Sequence, residues 1–390
     1  MLQAPTITYI MFLIFAGTAV LSTMALFTRQ SLLVAYIALG ILFGPWGLKL
    51  VSNSLIIKQT GDIGIIFLLF LLGLHMQPQN LFHSLRKMSM LTLWSSILFF
   101  LIGFIPSYLF GFTANESLII GVSAMFSSTI IGIKLLPTTI LHHQHTGELV
   151  VSILLLQDLI AIAAILIIEI IASRTVSYYH VALIVSAFPI ILSVAYLFQR
   201  YVLSKLLERF DKIHEYIFIL SIGWCLCMAE LSHTLGLSEE IGAFIAGVTL
   251  ASNPIAFYIA ESLKPLRDFF LIIFFFTIGA GFNLDYLPQV IVPACIIAAL
   301  ILALKPVIFS WLLYRAGEVR TVSLEIGVRL GQMSEFSLLV IALALETRLA
   351  SPLTTYTVEA AIILTFIVSC YWIVMRYPTP LAATDQLRRD

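Results

Sequence analysis

Long apolar runs separated by short polar loops cover most of this 390-residue chain. A helix needs about 20 mostly apolar residues to cross the hydrocarbon core of a bilayer, and by this measure the pattern predicts thirteen helices. The predicted spans are 7–27, 31–50, 61–76, 90–112, 116–136, 148–172, 178–199, 213–235, 238–252, 266–283, 288–313, 322–345 and 354–376. The chain is therefore expected to be an all-α polytopic membrane protein.

The basic residues are distributed unevenly between the predicted loops. The stretch before the first helix, "MLQAPTIT", contains no Lys or Arg, which favours a retained helix whose N-terminus lies outside. With that start, 15 of the 21 Lys and Arg residues fall in loops on the cytoplasmic side. The positive-inside rule therefore predicts an external N-terminus and a cytoplasmic C-terminus.

Composition agrees with membrane embedding and excludes several other classes. Hydrophobic residues make up 60% of the chain, charged residues 11%, and the mean hydropathy is +1.04. A net charge of +0 without a basic tail gives no indication of nucleic-acid binding. The four cysteines all fall within predicted spans, and His142, His143 and His145 lack the spacing of a metal site. We expect no cofactor and no metal beyond a transported ion.

Two ionisable residues lie deep within predicted helices. Placing a charged side chain at a helix centre costs about 2.5–3.5 kcal/mol on insertion scales, so such a residue is a functional candidate. Asp158, in "SILLLQDLIAIAAILII", lies about 15 Å from the cytoplasmic end of its helix, and Lys305 lies about 12 Å from the same side. The side chains of Asp158 and Lys305 could therefore meet at the same depth in the membrane. The alternative is a salt bridge that serves the fold alone.

Polar residues and glycines interrupt two further helices, one in each half of the chain. The first is "AMFSSTIIGIK", with Ser127, Ser128 and Thr129, and the second is "GVRLGQMSEFSLL". Interrupted helices in corresponding positions are typical of inverted-repeat transporters, whose ion site lies at the midplane. The hydroxyls could instead bond to their own helix.

The second interrupted helix adds three candidate partners for the carboxylate: Arg329, Gln332 and Glu335. Arg329 and Glu335 lie six residues apart and so face different directions, and a structural role for both is the alternative. Gln157, next to Asp158, offers a neutral oxygen, and the three hydroxyls could complete an oxygen shell for a hard monovalent cation. One carboxylate that takes either a proton or a cation is sufficient for antiport.

Several blocks of the chain resemble Kef-type potassium:proton antiporters of the monovalent cation:proton antiporter-2 family. They are "LGILFGPWGLKL", "GDIGIIFLLFLLGLHM", "SSTIIGIKLL", "GELVVSILLLQDLIAIAAIL", "IGAFIAGVTLASN", "FFFTIGAGFNL" and "GQMSEFSLL", in the family's order. The resemblance implies a thirteen-helix, sodium/proton antiporter-like fold with inverted repeats, in a homodimer of the bacterial inner membrane. It implies exchange of K+ for H+ through elevator-like motion.

The resemblance also implies a division of the chain and roles for its residues. The dimerisation part would be about 7–76 and 213–283, the ion-transporting core about 90–172 and 288–376, and the linker helix about 178–199. Asp158 would carry the ion, assisted by Gln157 and the Ser127–Thr129 triplet, and Lys305 would be its charge partner.

Three features depart from the Kef pattern. The sequence reaches Asp390 without the usual nucleotide-binding domain, "FYIAESLKPLRDFF" carries Lys264 and Arg267 in a stretch that is more acidic in Kef proteins, and Arg329 is not typical of its block. Regulation by nucleotide is therefore not predicted, and whether a separate cytoplasmic regulatory subunit takes its place is left open.

Three alternatives to K+/H+ exchange follow from the same residues. One is Na+/H+ exchange, because selectivity between Na+ and K+ depends on cavity size and coordination number. Another is a channel-like K+ efflux pore, which would conduct K+ without moving protons. A membrane-embedded hydrolase would need a Ser–His pair or two carboxylates at one depth. All eight histidines fall in loops or near predicted helix ends, so the chain is expected not to be an enzyme.

Overall fold

The computed structural model describes residues 7–51, 54–75, 78–136, 145–172, 178–235 and 237–379. Each of the predicted spans contains a helix. The α-helices are α1 (Ile7–Phe27), α2 (Leu32–Phe43), α3 (Ser54–His75), α4 (Pro78–Leu109), α5 (Ala114–Met125), α6 (Thr129–Lys134), α7 (His145–Ala172), α8 (Tyr178–Phe198), α9 (Ser204–Arg209), α10 (His214–Thr234), α11 (Glu239–Ala251), α12 (Ala256–Gly281), α13 (Leu287–Arg315), α14 (Arg320–Arg329), α15 (Glu335–Glu346) and α16 (Pro352–Arg376). A π-helical turn, Gln199–Leu203, joins α8 to α9.

Two of the predicted spans are interrupted near their middle. Helix α5 ends at Met125 and α6 begins at Thr129, while α14 ends at Arg329 and α15 begins at Glu335. Within the described ranges, seven helices are long and apolar enough to cross a membrane by themselves. The interrupted pairs are each made of two shorter helices, as expected where backbone lines a polar site within the membrane.

The chain forms two compact units. The first comprises Met1–Lys49, Ser84–Ile168 and Gly279–Asp390, and the second comprises Leu50–His83 and Glu169–Ile278. Every candidate ion-site residue lies in the first unit.

The apolar core of the first unit surrounds the contact between α4 and α13. Phe99 and Phe309 meet edge to face, with ring centroids 4.8 Å apart. Buried side chains of α7 and α14, including Leu154 and Ile326, pack around this pair. A Cβ on Gly327 would lie 2.5 Å from the carbonyl oxygen of Pro306, so glycine is what lets α14 approach α13 this closely.

The second unit is built on close contact between α3 and α11. Gly73 and Gly247 face each other, and a Cβ on Gly247 would collide with the carbonyl oxygen of Phe70. Small residues at such crossings let membrane helices pack by dispersion without help from the hydrophobic effect. Phe198 stacks on Trp224 with ring centroids 5.1 Å apart, and this contact ties α8 to α10.

Candidate functional site

The two helix interruptions lie next to each other. Ser127 Oγ, in the first, donates to the carbonyl oxygen of Leu330 at 2.8 Å, in the second. Ser337 Oγ, in the first turn of α15, donates to the carbonyl oxygen of Ser123 at 2.5 Å. A helix end leaves carbonyls without intrahelical donors, and hydroxyls from the opposite interruption supply them here. These two hydrogen bonds join the ends of α5, α6, α14 and α15. We call the place where the two interruptions meet the crossing.

Lys305, on α13, lies at the centre of this crossing and is fully buried. Its ammonium donates to the carbonyl oxygens of Phe126 at 2.7 Å and Gln332 at 3.2 Å, one from each interruption. Ser127 Oγ lies 3.5 Å away, and the Phe99 ring centroid 4.8 Å away. Lys305 thus satisfies backbone acceptors that the interruptions leave open.

Gln157, on α7, fixes the backbone of the first interruption. Its side-chain oxygen accepts a hydrogen bond from the Ser127 amide at 3.1 Å, and its side-chain nitrogen donates to the carbonyl oxygen of Met125 at 3.2 Å. Both partners are backbone groups that no helix satisfies. Gln157, one residue before Asp158 on α7, therefore holds the non-helical backbone between Met125 and Ser127 in place.

Asp158 follows on the same helix and is 1% exposed. Thr129 Oγ1, at the start of α6, lies 3.3 Å from each carboxylate oxygen. The carboxylate of Glu335, at the start of α15 and 2% exposed, is close enough to interact electrostatically with Asp158. Two carboxylates therefore share this region.

The predicted pairing of Lys305 with Asp158 is not present as a salt bridge. The contacts of the Lys305 ammonium in the described part of the chain are backbone carbonyls, one hydroxyl and one ring face. The carboxylate of Asp158 is bonded by Thr129 alone among those residues. The structure places both side chains at the crossing and separates their hydrogen bonds.

Arg329, at the end of α14, is buried, and the contacts that the structure gives for it do not include Asp158 or Glu335. Its guanidinium binds Glu325 Oε1 at 2.8 Å and donates to the carbonyl oxygens of Leu135 at 3.0 Å and Pro378 at 2.9 Å. The ring of Tyr377 lies 5.6 Å from it. Arg329 therefore ties the end of α6 to the segment that follows α16.

The other candidates have more local roles. Ser128 Oγ accepts from the Ile131 amide at 3.1 Å and so caps α6. Gln332 Oε1 accepts from Ser369 Oγ at 2.9 Å. His142 and His143 lie outside the described residues, and His145 Nε2 lies 2.9 Å from Glu318 Oε2.

Sequence reasoning did not identify two residues of α16 that support the second interruption. Thr365 Oγ1 accepts from the Met333 amide at 3.3 Å, and Ser369 bonds Gln332 as above. Both residues are buried and lie one helical turn apart. Two hydroxyls four residues apart in the apolar stretch "AIILTFIVSC" were the available signal.

The arrangement suits reversible neutralisation of a negative charge. Asp158 offers carboxylate oxygens, Thr129 offers a hydroxyl oxygen, and neither Asp158 nor Thr129 contacts a basic side chain among the described residues. A carboxylate removed from water must bind a proton or a cation to be stable. Oxygen ligands of this kind select hard cations.

Known proteins share this sequence pattern and fold. The chain is 29% identical over 386 residues to the glutathione-regulated potassium-efflux system protein KefC of Salmonella arizonae, covering 96% of this chain and 62% of that protein. It is 26% identical over 328 residues to K(+) efflux antiporter 5 of Arabidopsis thaliana, covering 81% of this chain and 57% of that protein. The chain thus spans about three fifths of these relatives' length.

A solved structure shares the fold. The sodium proton antiporter MjNhaP1 from Methanocaldococcus jannaschii superposes with a TM-score of 0.69 at 15% identity, covering 93% of this chain and 94% of that one. The family model for the transmembrane sodium/hydrogen exchanger matches residues 10–375, nearly the whole chain. The protein is therefore an integral membrane protein that belongs to the sodium/hydrogen exchanger family.

Proposed function

We propose that this protein is a secondary active antiporter that exchanges a monovalent cation, K+ in preference to Na+, for H+. The observation that carries the proposal is Asp158, buried beside two helix interruptions and bonded by the Thr129 hydroxyl. The names of the relatives, a potassium-efflux system protein and a K+ efflux antiporter, support K+ as the cation. They also support a transporter rather than an enzyme.

Coupling follows from mutual exclusion at this carboxylate. With either a proton or a cation bound, the site is close to neutral and can pass an apolar barrier, whereas the empty charged site is too costly to move. Each turnover then carries a cation one way and a proton the other. The carboxyl group of Glu335 lies nearby, so a negative charge on both groups at once is disfavoured.

The proposal includes alternating access and assembly. The core, about 90–172 and 288–376, would move as an elevator against a dimerisation part, about 7–76 and 213–283, with 178–199 as the linker. The dimer would lie in a bacterial inner membrane with its N-terminus outside. We also propose thirteen membrane crossings with inverted repeats; the two interrupted helices, one in each half of the chain, support this topology.

Proton flux in proteoliposomes tests the proposal. The purified protein is reconstituted with a trapped pH dye, and K+, Na+, Li+ and choline salts are added in turn outside. We expect a pH change with K+ well above that with Na+, and none with choline. Equal responses to Na+ and Li+ would instead identify a sodium/proton antiporter. K+ flux without proton movement would indicate a channel.

A further inference from the structure

A groove at the predicted cytoplasmic end of the first unit is separate from the ion site. It lies between the last turns of α13 and the first turns of α14 and has a volume of about 400 Å³. Its lining residues are Val307, Ser310, Trp311, Tyr314, Arg320 and Leu324. Val307, Trp311 and Tyr314 recur at helical spacing on one exposed face of α13.

The groove combines an apolar wall with a cationic end. Trp311 is 52% and Tyr314 61% exposed, so these amphipathic rings face the surroundings of the helix. Trp and Tyr are enriched where hydrocarbon meets the headgroups. Arg315 lies with its guanidinium 5.4 Å from the Trp311 ring centroid, and Arg320 lines the groove itself.

The two arginines at this end form no ion pair within the described part of the chain. Arg315 and Arg320 make no salt bridge to a carboxylate among those residues. Glu318, which lies between them in sequence, is bonded to His145 Nε2 at 2.9 Å. A turn with Gly317 at φ +96° brings the two helix ends together and leaves both arginines exposed.

We propose that this groove binds an anionic glycerophospholipid from the inner leaflet. An acyl chain would lie along Val307 and Leu324, and the phosphate would be held by Arg315 and Arg320 with Ser310 as a further donor. Charge complementarity identifies the occupant, because a zwitterionic lipid would leave both guanidiniums without a net counter-charge. The proposal rests on the groove and on membrane embedding, and it is independent of antiport.

Quenching of Trp311 fluorescence by brominated lipid tests this site. The protein is reconstituted in phosphatidylcholine with increasing fractions of acyl-chain-brominated phosphatidylglycerol or brominated phosphatidylcholine. The Trp311→Phe variant supplies the background from the other four tryptophans. Because each arginine near an anionic headgroup contributes about a factor of five in affinity, we expect half-quenching at a several-fold lower fraction of the anionic lipid.

Arginine variants distinguish lipid bound in the groove from lipid of the surrounding bilayer. The preference is the ratio of the lipid fractions that give half-quenching, phosphatidylcholine over phosphatidylglycerol. The double substitution Arg315→Gln and Arg320→Gln should reduce this ratio to near one. Arg200→Gln should leave the ratio unchanged and is the control, because Arg200 makes a similar contact, 6.0 Å from the Tyr196 ring centroid. Equal quenching by the two lipids, or a preference that survives the double substitution, would overturn the proposal.

A second measurement serves if the double variant does not fold. Native mass spectrometry of the wild type should show phosphatidylglycerol retained over phosphatidylcholine, and retention should persist in excess inorganic phosphate. Displacement by inorganic phosphate would mean that the groove is a general anion site and not a lipid site.

Discussion

Lys305 Nζ lies 2.7 Å from the carbonyl oxygen of Phe126, at the point where the first interrupted helix breaks. The same ammonium reaches the carbonyl oxygen of Gln332 in the second interruption at 3.2 Å. One side chain on a continuous helix thus joins both breaks. The lysine therefore holds the backbone at both breaks, and under the proposed function Asp158 is the group that binds the proton or the cation.

Lys305→Met should destabilise the protein and abolish exchange. Two buried carbonyls would lose a charged donor, and hydrogen bonds of this kind contribute about 1.5–3 kcal/mol each. We expect a lower melting temperature in detergent and no K+-driven proton flux. Lys264→Met is the matched control, because Lys264 is 43% exposed and pairs with Glu261 on its own helix. Wild-type melting and flux in Lys305→Met would show that the breaks do not depend on the ammonium.

Gln157→Leu keeps the volume of the side chain but removes both of its polar atoms. The Ser127 amide and the Met125 carbonyl would then lack their partners, at about 1–3 kcal/mol each. We expect reduced thermal stability and a raised half-saturation concentration for K+ in flux assays. Unchanged values of both would contradict the role of Gln157 in shaping the site.

Thr129→Val tests the hydroxyl that contacts Asp158. Valine has the same shape but neither donates to a carboxylate nor ligates a cation. The apparent K+ affinity should fall several-fold, and Thr129→Ser should retain most of it. The comparison is made by K+ titration of proton flux. Equal affinities in all three proteins would remove Thr129 from the ion site.

Arg329→Gln should affect stability more than transport. Arg329 is buried, and its guanidinium holds Glu325 and two backbone carbonyls. Removing one partner of a buried ion pair costs about 3–5 kcal/mol, and less here because Glu325 is 21% exposed. We expect a clear fall in melting temperature, with K+ affinity preserved in the protein that remains folded. A large change in K+ affinity alone would instead place Arg329 in the ion site.

The helical pattern was predictable because hydrocarbon imposes a simple length requirement. The span predicted at 7–27 has the bounds of α1, and the other predicted spans coincide with helices to within twelve residues. The interruptions were predicted only as tendencies, from Ser127–Thr129 and from the glycines around Gln332. Their bounds depend on side chains from α7, α13 and α16, which sequence periodicity does not reveal.

For the candidate site, the sequence identified which residues are buried but not which atoms meet. Depth along the helices predicted that Asp158 and Lys305 share a level. Helix depth carries no information about rotation, so it did not predict that the ammonium would turn toward the carbonyls of Phe126 and Gln332. Arg329 was ambiguous for the same reason, since its partners at Leu135 and Pro378 are distant in sequence.

Asp158→Asn in proteoliposomes tests whether Asp158 carries the transported ion. K+-driven proton flux is measured for wild type, for Asp158→Asn, and for Glu148→Gln, which removes a 60% exposed carboxylate from the first turn of the same helix. We expect flux at the protein-free background for Asp158→Asn, with wild-type melting, and normal flux for Glu148→Gln. Exchange that persists in a folded Asp158→Asn protein would contradict this role of Asp158.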